Sequence, residues 1–165
     1  MAKDDDIRLI VEQEKTLVFP AFSEDIAFEV GTRLRQLGLE RRLGIAIEIK
    51  AGERPLFYSA LAGSTADNAN WLRRKANLVQ RVSKASYRAV LEYSEPQNYF
   101  SPRRGLDNAD YVLAGGGFPI WVKNAGMIGA VCVSGLHERD DHGLVVEALC
   151  AHLKQDARAL MLPPP

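Results

Sequence analysis

The sequence of 165 residues predicts an α+β or layered α/β domain, and three observations support this fold class. Several segments carry apolar residues at helical spacing. Other, shorter segments alternate apolar and polar residues, which is typical of half-buried strands. Short turns join neighbouring strands, so antiparallel pairing is favoured over the regular strand–helix alternation of a doubly wound parallel sheet. Because no repeat or linker is visible, we expect a single domain spanning residues 1–165.

Two helices and a hairpin are predicted in the first half of the chain. Asp4 opens a run of three aspartates, which favours a helix N-terminus through the helix dipole, and Pro20 stops that helix. Ser23 is the predicted N-cap of the next helix. Isoleucines then alternate with small or polar residues, and the turn AGERP leads into a second strand. The predicted elements are helices at 4–18 and 24–37 and strands at 45–49 and 56–61.

The second half is predicted to hold the longest helix, three short strands and a last helix. A polar loop follows the long helix, and the turn NAG joins two of the strands. Asp140 or Asp141 is the predicted cap of the last helix, and three prolines form a tail that we expect to be disordered. The predicted elements are helices at 66–92 and 142–160, strands at 111–113, 118–123 and 127–134, and the tail at 163–165.

The charge balance and the apolar content narrow the classes of function. Lysine plus arginine and aspartate plus glutamate each number 21, so net charge gives no argument for a nucleic-acid partner. The N-terminal sequence lacks the apolar run of a signal peptide, and no window resembles a membrane span. We therefore predict a cytoplasmic protein that contacts neither nucleic acid nor membrane. Cys132 and Cys150 stand apart in apolar surroundings and are predicted to be core residues.

The long helix has a basic face and an apolar face when it is projected at about 100° per residue. Trp71 lies in the apolar arc, and Lys75 falls inside the same arc. A buried ammonium without a partner costs several kcal/mol, so this position needs an explanation. The lysine snorkels to the edge of the arc, which is the favoured interpretation, or it pairs with a carboxylate, or it lines a pocket. The basic face is either solvated or contacts an anion or a partner, and it comprises Arg73, Arg74, Arg81, Lys84 and Arg88.

A run of three glycines stands in the segment AGGGFPI of the second half. Glycines lower strand propensity, so their presence indicates positive φ angles or a close approach of the backbone. The run is not a phosphate-binding P-loop, because no Gly-Lys-Ser/Thr follows, and it is not a dinucleotide fingerprint, because no clear helix follows. A tight corner is the favoured interpretation, and a nest of backbone N–H groups for an anion is the alternative.

Four segments of the sequence resemble the haem-degrading, HbpS-like domain family. They are GGGFPI at 115–120, GMIGAVCVSGL at 126–136, DDHGLVVEAL at 140–149 and TADNANWLRRKANLV at 65–79, the last of which resembles one subgroup of similar length. The resemblance covers residues 20–160. It implies a profilin-like fold, with a five-stranded antiparallel sheet and helices on both faces, and it implies homo-oligomerisation. Some relatives bind haem, but the family has no catalytic constellation that can be transferred to this chain.

The resemblance makes haem the candidate cofactor, and haem iron needs an axial ligand and an apolar slot. The segment HERDDH at 137–142 offers two histidines and three acids, but a solvated loop and a helix cap explain it without a metal. Ser134 lacks the G-x-S-x-G pattern of a nucleophile elbow, so no catalytic residue and no metal ligand is predicted. The predicted ligand-binding residues are Trp71, Arg74, Lys75, Gly115, Gly116, Gly117, Phe118, Ser134 and His142.

Two functions from different classes follow. The first is a ligand-binding protein for a small anion or a tetrapyrrole, with degradation of haem left open, in which Trp71 and Phe118 form apolar walls while Lys75 and Arg74 hold carboxylates. The second is a non-enzymatic homo-oligomeric scaffold, in which the faces of the long helix bind sister subunits or another protein. An open corner at the glycines, within reach of Lys75, is expected only for the first function.

Overall fold

The computed structural model describes residues 2–93, 95 and 98–165. Its helices are α1 (Ala2–Thr16), α2 (Glu24–Glu40), α3 (Ala66–Val82), α4 (Ser86–Glu92), α5 (Glu138–Leu153) and α6 (Ala157–Leu160). Its strands are β1 (Val18–Phe19), β2 (Ala46–Ala51), β3 (Arg54–Ala60), β4 (Gly117–Val122) and β5 (Gly126–Ser134). No helix in these described ranges is long and apolar enough to cross a membrane.

The five strands form one mixed sheet in the order β1–β4–β5–β2–β3. Neighbouring strands are antiparallel except for β1, which runs parallel to β4 and aligns Val18 with Trp121. The α+β class and the five-stranded sheet with helices on both faces are confirmed, but the expectation of a purely antiparallel sheet is wrong. The strand predicted at 111–113 is also wrong, because that segment has no strand structure and β1 is the fifth strand.

The helices form a layer on each face of the sheet. On one face α2 and α5 pack against each other and against the sheet, and on the other face α3 covers β5 and β4. Because side chains alternate along a strand, Ile47 and Val133 enter the core under α2 and α5, whereas Ala46 and Cys132 enter a smaller core under α3. Cys132 and Cys150 are free, buried thiols, as predicted.

The long helix predicted at 66–92 is interrupted. Ser83 takes a left-handed conformation with a φ of 56°, so α3 ends there and α4 begins three residues later. The carboxylate of Glu14, in α1, accepts a hydrogen bond from the backbone N–H of Ala85 at 2.7 Å and forms an ion pair with Arg88 at 2.6 Å. Burial raises the pKa of the Glu14 carboxyl, and these two contacts oppose that rise. The break in the helix therefore lets α1 hold the start of α4.

The ends of the other helices agree with the sequence only in part. Ser23 caps α2 as predicted, since its hydroxyl oxygen accepts the backbone N–H of Ile26 at 3.2 Å. The last helix begins at Glu138, four residues earlier than predicted, and His137 occupies the cap position. Arg139 of α5 donates a hydrogen bond to the carbonyl of Pro163, the first residue of the exposed tail at 163–165.

The basic face predicted for the long helix is used within the chain. Arg73 forms an ion pair with Asp110 at 2.9 Å, and Arg74 and Arg81 donate to backbone carbonyls of the loop at 104–110. Lys84 and Arg88 both pair with Glu92. The three arginines of α3 therefore attach the loop at 104–110 to this helix, whereas Lys84 and Arg88 pair with a carboxylate of α4.

Candidate functional site

A cleft opens where α3, the end of β5 and the start of α5 meet, and we call it the α3–α5 cleft. Its volume is about 340 Å³. It lies at the end of the sheet, so residues from both helical layers reach it. The residues that line it are Asn68, Trp71, Lys75, Ala114, Ser134, Gly135, Leu136, Glu138 and Asp141.

A buried ion pair forms the floor of the α3–α5 cleft. Lys75 Nζ lies 3.0 Å from Asp141 Oδ2, and each side chain is only 3% exposed. The same ammonium group donates to the carbonyl of Val133 at 2.9 Å, while Asp141 Oδ1 accepts the backbone N–H of Leu136 at 2.9 Å. Of the three possible explanations for Lys75, the structure shows the carboxylate pair at the edge of a cleft, and the favoured snorkelling interpretation is wrong.

The electrostatics of this pair reflect its burial. Desolvation raises the pKa of the Asp141 carboxyl above its ordinary value, although Lys75 and the N–H of Leu136 both stabilise the charged form. Desolvation therefore exceeds the stabilisation that the ammonium provides. The pair connects α3 on one face of the sheet to α5 on the other, so it is held by the two helical layers at once.

The glycine run forms a filled corner behind the cleft. Gly116 has a φ of 121°, and a Cβ placed on it would lie 2.4 Å from the carbonyl oxygen of Val133 and 2.9 Å from Lys75 Nζ. The N–H of Gly115 donates to Glu138 Oε2 at 3.2 Å, and the N–H of Gly117 donates to the hydroxyl of Ser86 at 2.9 Å. The glycines therefore form a tight, filled corner, which is the favoured interpretation of the sequence. The open corner expected for a ligand-binding function is not formed, and none of the three glycines lines the cleft, which opens beside Gly135 instead.

Trp71 and Arg74 lie at the outer side of α3. The indole N–H of Trp71 donates to Asp67 at 3.0 Å, and its ring contributes to the wall of the α3–α5 cleft. The guanidinium of Arg74 lies 5.1 Å from the centre of that ring and donates to the carbonyl of Asn108 at 2.7 Å. Arg74 does not line the cleft; it supports the tryptophan that does.

Ser134 has an unused donor at the floor of the cleft. Its hydroxyl oxygen accepts the amide N–H of Asn68 at 3.1 Å, and no acceptor for its own O–H group is present among the described contacts. Asn68 is held in turn by the backbone N–H of Thr65, which donates to its amide oxygen at 2.9 Å. Two predicted site residues, Lys75 and Ser134, therefore line the same cleft.

Phe118 and His142 lie away from the cleft, under the opposite face of the sheet. Phe118 is fully buried in the main core, and its ring centre is 6.1 Å from that of His142. His142 Nε2 lies 2.8 Å from Gln13 Oε1, and no residue is within hydrogen-bonding distance of its Nδ1 in the described part of the chain. Burial, together with nearby Arg139, lowers the pKa of the His142 imidazole to about 3, so this histidine is neutral at physiological pH.

Six lining residues were missed by the sequence analysis, and three of them carry polar side chains, namely Asn68, Glu138 and Asp141. Asn68 belongs to the start of α3 and reads as an ordinary capping residue, while Glu138 and Asp141 read as acids at a helix start. Their shared role is visible only in the folded structure, which brings α3 and the start of α5 together, because Lys75 and Asp141 are 66 positions apart in the sequence. The sequence signal that leads to this site is the position of Lys75 in an apolar arc, because a buried lysine needs a carboxylate partner.

The chemistry available in the cleft is hydrogen bonding and charge pairing. No described contact joins a histidine to Ser134, so a nucleophile with its base is not formed. Within residues 2–93, 95 and 98–165, no three histidine, cysteine, aspartate or glutamate side chains converge where they could hold a metal ion.

Comparison with known proteins identifies the family. The model of the family described as "haem degrading protein HbpS-like" matches residues 22–150, which include the whole α3–α5 cleft. The chain belongs to the HbpS-like family. Within it, the chain is 52% identical over 162 residues to a UPF0303 protein of Mesorhizobium japonicum, with 98% of this chain and 97% of that protein covered. A UPF0303 protein of Brucella canis is 52% identical over 167 residues, with 99% of each chain covered.

Solved structures confirm the HbpS-like fold. The crystal structure of the Ybr137w protein superposes with a TM-score of 0.80 at 24% identity, covering 90% of this chain and 87% of that one. The crystal structure of HbpS superposes with a TM-score of 0.62 at 13% identity and covers 79% and 88%. A PduOC–haem complex superposes with a TM-score of 0.62 at 15% identity and covers 79% and 94%. At these identities the likeness concerns the fold alone.

Proposed function

We propose that this protein binds a small ligand with carboxylate groups in the α3–α5 cleft, and that haem or a related tetrapyrrole is its first candidate. The observation that carries the proposal is the buried Lys75–Asp141 pair on the cleft floor. A buried ion pair contributes little net stability to a fold, because desolvation offsets most of the attraction. Lys75 uses two of its three N–H donors within the chain, and its third N–H and the O–H of Ser134 are the donors in the cleft lining that we assign to a ligand carboxylate.

Support for a tetrapyrrole comes from the relatives and from one side chain. The family is described as haem-degrading, and a structural neighbour is a haem complex. Trp71 supplies an aromatic wall at the mouth of the cleft, against which a flat macrocycle can stack.

The cleft does not fit the ligation of haem iron. None of its nine lining residues is a histidine, cysteine, methionine or tyrosine, the residue types that bind haem iron. His142 is enclosed in the core, and its Nε2 is engaged by Gln13. We therefore derive no reaction at an iron centre, and the proposal is that a tetrapyrrole is held by its carboxylates and its flat face.

A comparison of haem with iron-free protoporphyrin IX tests this proposal. If the carboxylates and the macrocycle provide the binding energy, the two compounds bind with similar dissociation constants, measured by quenching of tryptophan fluorescence. Ser134→Ala removes a donor and is expected to weaken both by about tenfold, because a hydrogen bond to a charged group contributes about 1.5 kcal/mol or more. The matched control is Thr32→Ala, which removes a hydroxyl from an exposed residue of α2 outside the cleft and should leave both constants unchanged.

Two results would contradict the proposed site. Binding of haem without any binding of protoporphyrin IX would show that an iron ligand is essential. Equal affinities of Ser134→Ala and the wild type for both compounds would place the ligand elsewhere.

A second candidate function, a homo-oligomeric scaffold, is favoured by a separate observation. The large hydrophobic side chains that remain exposed among the described residues are Phe28, Leu39 and Tyr58, which are 62%, 52% and 48% exposed. Exposed apolar side chains of this size mark interaction surfaces when they lie together. Light scattering of the purified protein gives its mass, and a monomer at every concentration would contradict this candidate. We also propose that the protein is cytoplasmic, as the sequence predicts.

A further inference from the structure

Phe28 and Tyr58 border one edge of the sheet, and Leu39 follows Gly38, which packs against Leu61 just after the end of β3. β3 is the last strand in the sheet order, so the side of it that faces away from β2 has no partner among the described strands. Phe28 lies beside this edge on the α2 face, with its ring centre 6.0 Å from that of Phe57. Tyr58 lies on the opposite face of β3, because it is paired with Glu48 and alternates with Phe57. We call this region the β3 edge.

The backbone of the β3 edge is free to pair. Leu61 donates its N–H to the carbonyl of Ile45 at 2.9 Å, and hydrogen-bonded positions alternate along an antiparallel pair. Residues 57, 59 and 61 therefore face β2, whereas the N–H and C=O groups of Tyr58 and Ala60 face outward. Neither of these is a proline, so both can donate. An open edge of this kind is the usual place for another strand to add.

The contacts of α2 with β3 place the exposed residues relative to Tyr58. Phe28 contacts Phe57, and Arg35 donates to the hydroxyl of Ser59 at 2.8 Å, so α2 runs in the same direction as β3. Tyr58 is therefore level with the middle of the segment between Phe28 and Leu39. A two-fold axis through Tyr58 consequently brings Phe28 of one copy opposite Leu39 of the other.

The distance between the two copies of α2 agrees with this arrangement. α2 packs over both β2 and β3, so its axis lies near the boundary between these strands. With strands about 4.8 Å apart, a two-fold axis half a strand beyond β3 places two copies of α2 about 10 Å apart. Packed helices are separated by about 8–10 Å, so the helices meet at the same time as the strands pair.

The charges at the β3 edge are compensated in part. Arg54 is paired with Glu24 of the same chain, whereas Arg35 donates to the neutral hydroxyl of Ser59 and keeps its positive charge. The two-fold axis places Arg35 opposite the region of Thr32, so the two copies of Arg35 do not face each other directly. Tyr58 and Ala60, which supply the pairing groups, are uncharged.

We propose that a second copy of this chain pairs with the β3 edge, antiparallel and centred on Tyr58, to form a continuous ten-stranded sheet. Each copy then covers Phe28, Leu39 and Tyr58 of the other, and the interface is the same surface on both copies. This inference rests on the second proposed function and is independent of a ligand in the α3–α5 cleft.

A cysteine placed on the axis tests the register directly. Residues opposite each other in a hydrogen-bonded antiparallel pair have Cα atoms about 5.5 Å apart, which a disulfide can bridge. Tyr58→Cys is therefore expected to form a covalent dimer under mild oxidation, and the buried Cys132 and Cys150 do not compete. Ala159→Cys is the matched control, because Ala159 is exposed on α6, which packs against α1 and α5. An equally low yield of covalent dimer from both variants would overturn the proposal.

The mass of the unmodified assembly supplies the second readout. Phe28→Glu and Leu39→Glu, measured separately by light scattering, are expected to raise the dissociation constant of the dimer at least tenfold, and Ala159→Glu is expected to leave it unchanged. If the wild type is an assembly whose mass neither Phe28→Glu nor Leu39→Glu alters, the β3 edge is not the interface, although the scaffold function stands. If the wild type is a monomer at all concentrations, both proposals fail.

Discussion

Acidification from about pH 7 to about pH 5 should destabilise this protein through His142. The imidazole is fully buried between the rings of Tyr87 and Phe118, and its Nε2 is engaged by Gln13. Burial is the largest cause of its lowered pKa, and the positive charge of Arg139 lowers it further. Asp6, which pairs with Arg139, acts in the opposite direction and is not sufficient to offset these two effects.

The size of the effect follows from proton linkage. The folded protein holds the pKa of His142 at about 3, against 6.5 for an ordinary histidine. Below pH 6.5 the unfolded chain takes up a proton that the folded chain does not, so the free energy of unfolding falls with the pH until about pH 3. Between pH 7 and pH 5 this single group removes about 2 kcal/mol of stability.

Urea denaturation at both pH values, for the wild type and for His142→Gln, measures this loss. The variant keeps a neutral polar group beside Gln13 but has no group that titrates, so its stability should fall by about 2 kcal/mol less than that of the wild type. His152→Gln, on the same helix but partly exposed, is the matched control and should behave like the wild type. Asp141 and Glu14 have raised pKa values and change stability in the opposite direction, and the comparison cancels them.

An equal loss of stability in His142→Gln and in the wild type would refute this reasoning. It would mean that the buried imidazole accepts a proton in the folded state as readily as in the unfolded chain. Proton uptake by other groups would then have to account for the acid sensitivity.

Three further predictions concern the cleft and its surroundings. Lys75→Met and Asp141→Asn each leave one buried group of the pair without its partner, so each should lower the free energy of unfolding, measured by urea denaturation, by about 3–5 kcal/mol. The double variant should lose less than the sum of the two single losses, and strict additivity would show that the pair is not coupled. Gly116→Ala should lower the stability of the protein by several kcal/mol more than Gly126→Ala does. Both glycines have positive φ, but only Gly116 has atoms within 3 Å of an added Cβ. Equal melting temperatures of the two variants would contradict the packing described. Burial raises the pKa of the Cys132 thiol to about 12, so this cysteine should react with a disulfide reagent only after unfolding; a rapid reaction in native buffer would contradict its burial.

The sequence predicted the features of the fold that depend on local patterns. The alternating isoleucines gave β2, and Ser23 gave the start of α2, because each signal lies within a few residues. β1 was missed because Val18 and Phe19 are too few to show a period, and its pairing with β4 joins residues about a hundred positions apart. The break at Ser83 was missed because a serine with positive φ has no distinctive neighbours in the sequence.

The sequence pointed to one member of the buried ion pair. The helical projection singled out Lys75, since a lysine in an apolar arc is a local anomaly. Its partner, Asp141, was predicted as a helix cap, because a carboxylate near a helix start has a sufficient local explanation. Phe118 and His142 were assigned to the site from their neighbours in the sequence, but alternation along β4 and the turn of α5 carry them to the far side of the sheet.

The position of Gln13 has a practical consequence for the preparation of fragments. This residue lies ahead of the segment 22–150 that the family model matches, yet its amide bonds both His142 and the carbonyl of Leu160. A fragment trimmed to that segment would lose the glutamine at one end and the leucine at the other, and a ring buried at the centre of α5 would face a hole. The unit to express and crystallise is therefore wider than the unit by which relatives are recognised.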